Sequence, residues 1–584
     1  MAALFALVVP FAAATRSAAA EPAHAFLLGD SVLASIDVTT AARDSLAARH
    51  GYLIDAKVCR RLITTSCAYQ GVTPSTAIDA LTAAAGTYDG PLVVEAGYND
   101  SSISKAVDTI MAEARRQRVT RVLWLTYHEG SAQAATYAQS NLTLQAKALQ
   151  YPELRLVDFN GYSHAHPEWF ASDGLHLKSA GALALAELIG DALDVAYSGN
   201  RCTASKVTST SPAGAAAVTT GGVHALAQPV RLADTRPYLL PPGGNRLLGI
   251  QVSGKAGIPT DATAALVTAT AVGPCGASYL TLFPCGATAP DASAVNADAG
   301  GIVANAVLVR LSSTGALCVY TNVGTDVLVD VAAWVGADGS GATPLVPVRM
   351  VDTRPTTDQR LAIPQHRIAA GGVLSVPLGT DQLASGADTV TVNLTAVDPK
   401  NRGYLTVFPG PCNATPPNAS NLNVEAGRTT AAAATSAIGP AGDVCVFSSI
   451  DTDVIVDLNA VNSPGGAIIR TVAPRRIIDT RPSHQQLAAG QQLVIDLDDD
   501  VVVAPTTAVG AVLNLTATNP RGDGYVTVAP CTADGTLPYV SNLNMSSGRT
   551  VANLVIAAAG DGRRICIRPS VATDVLVDVE GWIG

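Results

Sequence analysis

Three near-identical octapeptides punctuate the chain: "VRLADTRP" at 230–237, "VRMVDTRP" at 348–355 and "RRIIDTRP" at 475–482. Each opens a unit with the same order of landmarks. A Tyr step follows ("SYLTLFPC", "GYLTVFPGPC", "GYVTVAPC"), then an Asn-centred segment ("SAVNADAG", "SNLNVEAG", "SNLNMSSG"). Each unit then closes on "TDVLVDVAAWVG", "TDVIVDLNAV" or "TDVLVDVEGWIG". Val and Thr alternate with period two and helical spacing is almost absent, which predicts a compact β-sandwich per unit. The units span 226–338, 345–463 and 472–584 and are too long for solenoid repeats, so the sequence predicts beads on a string.

Ahead of the repeats, residues 21–198 alternate between two patterns. "AFLLGD", "YLIDAKV", "PLVVEAG", "RVLWLTY" and "LRLVDF" read as strands. "SISKAVDTIMAEARRQ" and "GALALAELIGDALDVA" carry apolar residues at helical spacing. Alternation on this scale predicts a parallel sheet covered on both faces, with any site beyond the carboxyl ends of its strands. Residues 199–225, rich in Ser, Thr, Ala and Gly, read as a flexible linker. Residues 1–20 read as a secretory signal peptide, an apolar stretch ending in small residues. The chain is therefore expected to be multidomain and exported, secreted or associated with the cell wall.

Composition narrows the function classes. Apolar residues make up 48% of the 584 but aromatics only 5%, so cores must be built from Ala and Val. No later apolar run is long enough for a transmembrane segment. With a net charge of −10 and no long block of Lys and Arg, nucleic acid is not expected as a partner. The ten cysteines lack zinc spacing and favour disulfides in an oxidising compartment. Cys59–Cys67, Cys285–Cys318, Cys412–Cys445 and Cys531–Cys566 are the expected pairs. Cys202 and Cys275 either pair with each other or stay free.

Chemistry concentrates in the first domain. In "FLLGDSVLAS" Ser31 stands at a strand-to-helix turn, where a hydroxyl caps a helix or serves as a nucleophile. Asn99 ends the strand of "VVEAGYND", and Asp173 and His176 lie three apart in "ASDGLHLKSAG", just before the last helix. Gly29-Asp30-Ser31, Gly97-x-Asn99 and Asp173-x-x-His176, in that order, resemble the SGNH (GDSL-type) hydrolase family over residues 25–198. The resemblance implies a flavodoxin-like three-layer α/β sandwich and serine-based ester hydrolysis or acyl transfer, with no metal and no cofactor. By position it makes Ser31 the nucleophile, His176 the general base and acid, and Asp173 the orienting carboxylate. The oxyanion would be held by the Ser31 N–H, the Asn99 amide and a backbone N–H that the family usually takes from a glycine. Here that place holds Cys59, with Gly71 as the fallback.

Other residues have structural readings. His164 and His166 lack a carboxylate or cysteine cluster, so they read as a pocket-rim loop and not a metal pair. Trp169 and Phe170 either line a site or fill the core, and His128 lies either near the site or on the surface. Asp100 reads as a helix cap, and Arg521-Gly522-Asp523 as a hairpin turn. The recurrent Asp234, Asp352 and Asp479, with Asp326/Asp330, Asp453/Asp457 and Asp574/Asp578, suit an Arg–Asp brace better than calcium.

The repeats resemble a secreted actinobacterial module appended to extracellular hydrolases, which implies binding or spacer modules. The expected protein is a secreted esterase of short-chain O-acyl esters on a glycan or lipid, with a cell-wall polysaccharide or glycolipid as partner. An O-acyltransferase using the same triad and a non-catalytic adhesin are the rival readings.

Overall fold

The computed structural model describes residues 24–202, 219–243, 246–355, 366–379, 381, 383–483, 486–538 and 540–584. The expected signal peptide and residues 203–218 of the expected linker lie outside them. Among the described residues, no helix is long and apolar enough to cross a membrane.

The first domain holds five strands: β1 (Ala25–Gly29), β2 (Tyr52–Ala56), β3 (Leu92–Glu95), β4 (Val122–Leu125) and β5 (Leu154–Val157). All pair in parallel, in the order β2-β1-β3-β4-β5. Its helices are α1 (Ser31–Val38), α2 (Thr40–Ala47), α3 (Ala77–Ala83), α4 (Ser104–Arg116), α5 (Ala134–Gln150), α6 (Phe159–His164) and α7 (Ser179–Ser198). β1, β3 and β4 are buried along their whole length, as expected for near-continuous apolar strands covered on both sides. Strand order reverses between β1 and β3, and right-handed crossovers then put the helices on opposite faces. α1 and α2 pack with α7, whereas α3 packs with α4 and α4 with α5. α4 shows the logic of its sequence, burying Ala106, Val107, Ile110, Met111 and Ala114 along one stripe.

Each repeat is an eight-stranded jelly roll. With a unit's strands counted in chain order, one sheet runs six-three-eight-one and the other five-four-seven-two, in all three units. The recurrent motifs supply the braces. Asp330 accepts a bidentate pair from Arg231 (2.8 and 2.9 Å), Asp578 does so from Arg476 (2.9 and 3.0 Å), and Asp457 from Arg349. The Thr of each "DTR" donates to the first Asp of "TDV" at 3.1, 3.2 and 3.1 Å. A paired, hydrogen-bonded carboxylate tolerates this burial.

The units are not beads on a string. The first strands of units one and three pair antiparallel at Gly221↔Ile469 and Thr219↔Thr471, fusing two sheets into one of eight strands. The three sixth strands, Ile302–Arg310, Thr430–Ala437 and Val551–Ala558, touch one another pairwise about a pseudo-threefold axis. Their outer faces form a shared apolar cluster that includes Leu308, Ala433 and Leu554. Buried amides tie the seams. Asn305 donates to Asn514 (3.0 Å) between units one and three, and Asn553 to Asn393 (2.8 Å) between three and two. At the third seam the corresponding positions are Thr268 and Ala432, and Asn421 donates to Thr268 instead (3.3 Å).

The linker expected at 199–225 ends early, because Thr219–Asp234 is the first strand of unit one. That unit is docked on the first domain. Tyr238 bridges to Leu156 at the sheet's edge strand β5, and Leu239 donates its N–H to Leu156 (2.7 Å). Leu240 is buried in the first domain's core. Arg246 pairs with Asp191 (2.6 Å), both buried, and Asp191 also pairs with Arg49 (2.8 Å). Cys202, just beyond α7, is joined to Cys275 of unit one.

One cooperative calorimetric transition is expected for the three jelly rolls in the full-length chain. Leu554→Ala should shift that entire transition, costing about 2–5 kcal/mol for a buried leucine. Three independent transitions would contradict the shared core.

Candidate active site

The turn after β1 is sterically selected. A Cβ on Gly29 would lie 2.3 Å from the Leu33 Cβ and 2.9 Å from the Glu95 carbonyl. Asp30 then caps α1, accepting the Val32 N–H at 3.1 Å. The cap is therefore Asp30 and not Ser31. Ser31 is the first helical residue, so its N–H has no intrahelical acceptor and its hydroxyl is released from capping.

The second oxygen of Asp30 accepts the N–H groups of Gly97 and Tyr98, both at 3.1 Å. One fully buried carboxylate thus joins the loop after β1 to the loop after β3. Burial raises Asp30 to about 6, against the pull of those three N–H donors.

The loop after β2 is bound in turn to the loop after β3. Asn99 donates its side-chain N–H to the Arg60 carbonyl (3.0 Å), and Asp100 accepts the Leu62 N–H (3.0 Å). Asp100 is thus a cross-loop tie and not the cap of α4, whose N-cap is Ile103. Arg60, 1% exposed, threads under this loop and donates to the Ser75 carbonyl (3.0 Å) and to Asp55 (2.9 Å). Cys59, beside it, takes φ +70°, a left-handed conformation that favours glycine. Cys59 is bonded to Cys67, and the Cys67 N–H donates to the Cys59 carbonyl (3.2 Å). Gly71, the fallback donor, lies instead in the turn closed by Tyr69 and Val72.

The last loop carries Asp173 and His176. Asp173 Oδ1 accepts the N–H groups of Leu175 (3.0 Å) and His176 (3.1 Å), and Oδ2 meets His176 Nδ1 at 2.6 Å. Gly174 sits between them at φ +65°, where a Cβ would lie 2.4 Å from the Gly130 carbonyl. The other ring nitrogen, His176 Nε2, lies 3.2 Å from Ser31 Oγ. The hydrogen bond to His176 holds the Asp173 carboxyl down at about 2. It is a carboxylate at any ordinary pH and fixes the proton on Nδ1, leaving Nε2 to accept from the serine. The side chains of His176 and Asp173 are 51% and 49% exposed, so the chain of groups opens to solvent.

A cleft of about 1350 Å³ adjoins Asp173, between the first domain and the first jelly roll. Phe170, His128 and Gln133 line one wall, and Gln251, Arg310 and Thr314 the other. His128 is buried, stacked on Phe170 at 3.8 Å, with Nδ1 2.8 Å from Ser163 Oγ. Burial pushes it down to about 3, so it is neutral and not a surface residue. His164 reaches Gln251 across the junction (3.2 Å), whereas His166 stacks on Trp169 (3.9 Å) away from it. Phe170 thus lines the cleft while Trp169 packs inward. Arg521 and Asp523 lie between the strands Gly510–Thr518 and Gly524–Pro530; Asp523 accepts the Ser547 N–H (3.0 Å), as a structural turn would.

Cys285–Cys318, Cys412–Cys445 and Cys531–Cys566 staple the three jelly rolls one each and Cys59–Cys67 braces the loop after β2, whereas Cys202–Cys275 crosses from the first domain to unit one. The structure adds two residues that the motifs did not mark, Arg60 and the loop-joining side of Asp30. A lone arginine beside a disulfide carries no periodic signal.

No family model and no curated protein matches the sequence. Among solved structures, the chain is similar to the catalytic domain of peptidoglycan O-acetyltransferase A from Streptococcus pneumoniae. That match has 22% identity and a TM-score of 0.25, over 30% of this chain and 95% of that one. An esterase from Pseudoalteromonas matches at 13% identity and a TM-score of 0.25, over 30% and 99%. The triple jelly roll of an archaeal virus turret matches at 8% identity and a TM-score of 0.15, over 65% and 99%. At identities and scores this low, the chemistry has to be read from the residues themselves.

Removing the Asp30 carboxylate strands three buried N–H groups. Asp30→Ala should lower the urea-unfolding free energy by about 3 kcal/mol or more, at roughly 1–3 per unsatisfied group. Since the folded-state value is raised from 3.8 to about 6, the folded protein binds more protons in that window. The contribution of Asp30 should fall as pH rises from about 4 to about 6 and level off above. Asp30→Asn should flatten that slope.

Proposed function

We propose that this chain is a serine hydrolase of the SGNH (GDSL) type that cleaves short-chain O-acyl esters through an acyl-enzyme. The observation that carries the reading is the relay Ser31 Oγ–His176 Nε2–Asp173, at 3.2 and 2.6 Å, closed by residues from opposite ends of the domain. Ser31 Oγ attacks the ester carbonyl while His176 Nε2 takes its proton. The negative oxygen that forms is held by the N–H groups of Ser31 and Cys59 and by Asn99. One Asn99 amide hydrogen is used on Arg60 and the second remains for the oxyanion. His176 then protonates the leaving alcohol. Water, deprotonated by the same nitrogen, releases the acid and restores Ser31.

The open triad and the wide cleft beside Asp173, where Gln133, Gln251 and Thr314 stand among apolar side chains such as Phe170, suit a bulky alcohol half with both hydroxyls and apolar faces, as a glycan has. The same acyl-enzyme transfers its acyl group if a sugar hydroxyl displaces water. Export to the cell surface fits five disulfides in a chain of this size.

The full-length chain should hydrolyse p-nitrophenyl acetate. Ser31→Ala and His176→Ala should each lose about 10⁴-fold or more in kcat with unchanged melting, and Asn99→Ala about 10²–10³-fold with a small drop in melting from the lost bond to Arg60. Equal rates for wild type and Ser31→Ala would remove the enzyme reading. Adding an oligosaccharide acceptor and measuring acylated sugar against free acid separates hydrolase from transferase.

The Cys59 donor has its own test. Cys59→Gly/Cys67→Ala keeps the N–H and eases the left-handed backbone, so its kcat should stay within about tenfold of wild type. Cys59→Ala/Cys67→Ala keeps roughly 1–3 kcal/mol of strain without the covalent brace and should lose more, in kcat rather than KM.

A further inference from the structure

The braces explain the Arg and Asp of each repeat, but not the Tyr and the second Asn that recur with them. In every unit these two lie opposite each other on the fourth and fifth strands: Tyr279↔Asn296, Tyr404↔Asn423 and Tyr525↔Asn544. Each Asn is hydrogen-bonded to a Ser three residues earlier, at 3.2, 2.8 and 3.2 Å. The threefold packing aims this pair at the arginines of the next unit. A cleft of about 570 Å³ is lined by Tyr279 and Asn296 of unit one with Arg476, Arg481 and Thr516 of unit three. A second, of about 130 Å³, repeats the set with Tyr525 and Asn544 of unit three and Arg349, Arg354 and Thr395 of unit two. At the third junction Ser420 donates to Asp330 (3.3 Å), the partner of Arg231, but there Arg231 borders the first domain.

We propose that the two inter-unit clefts are carbohydrate-binding sites for a neutral polysaccharide. The charge balance selects the class. Arg476 is paired with Asp578 and Arg481 with Asp479; Arg349 is paired with Asp457 and Arg354 with Asp352. An anion gains little from guanidinium groups already neutralised. Vicinal hydroxyls, which donate and accept at once, match the paired edges of guanidinium, carboxylate and amide. The partly exposed Tyr adds a flat apolar face with a polar tip. A fold-only role requires the Arg–Asp pairs but gives no reason for Tyr and Asn to recur together at a cleft. Two clefts lined by the same set of residues, one about 570 Å³ and the other about 130 Å³, bind one polymer with avidity. The proposal is independent of the hydrolase reading.

Native affinity electrophoresis of the full-length chain tests it, in gels containing laminarin, xylan, dextran or galactomannan, with polygalacturonate as the anionic control. At least one neutral polymer should retard the protein. Tyr279→Ala/Tyr525→Ala should raise the apparent Kd about tenfold or more, each single variant falling between, with melting and p-nitrophenyl acetate turnover unchanged. If the tyrosine variants melt early, Asn296→Ala/Asn544→Ala supplies the same comparison. No retardation by any neutral polymer, retardation only by polygalacturonate, or wild-type mobility of the folded double variant would each overturn the proposal.

Discussion

Three loops meet at the carboxyl edge of the parallel sheet because one buried carboxylate holds two of them in register. Asp30 terminates β1, starts α1 and accepts two N–H groups from the loop after β3. Asn99 and Asp100, in that second loop, fasten the third. The arrangement follows from topology. β1 and β3 flank the point where strand order reverses, so their loops diverge and leave a crevice between them. Without a tie, divergent loops would hold a serine and an amide at no fixed separation. A charged group in that position is unfavourable by itself, and the three donors make it tolerable.

The same principle, a buried polar group made tolerable by complete pairing, organises the repeats at larger scale. Each Arg–Asp brace closes one jelly roll, and each buried Asn closes a seam between two. Small apolar side chains let the sixth strands approach the common axis, as Ala433 does beside Leu308 and Leu554. The first domain is held to this body by a paired edge strand, the buried Arg246–Asp191 pair with Arg49 at its exposed side, and the Cys202–Cys275 bond. The cleft beside Asp173 consequently has one wall that belongs to a repeat.

Local chemistry was legible in the sequence and assembly was not. The five parallel strands stood out as apolar runs; Ser31 and Asn99 stood out at strand ends, and Asp173 and His176 by their spacing of three just before the last helix. The Arg–Asp braces were readable from strict recurrence. The packing of the units was hidden, since a strand such as "AALVTATAV" has the same alternation whether its outer face meets water or another sheet. Asp100 resembled a cap because a cap and a cross-loop acceptor are the same residue type in the same place. His128 gave no sign of burial, since its stacking partner Phe170 lies far along the chain. The docking segment Tyr238-Leu239-Leu240 did carry a signal. It is apolar where the other repeats read "TTD" and "SHQ" after the same motif.

A ring of three identical subunits must accept any alteration at every seam simultaneously, because one gene writes all of them. Three repeats in one polypeptide escape that restriction. Thr268 and Ala432 stand where the other two junctions have paired asparagines, so one junction differs from the other two in both partners. Covalent continuity therefore frees each contact surface to diverge while the symmetric scaffold persists, which is how a trimer-like body can dedicate one of its sides to carrying an enzyme.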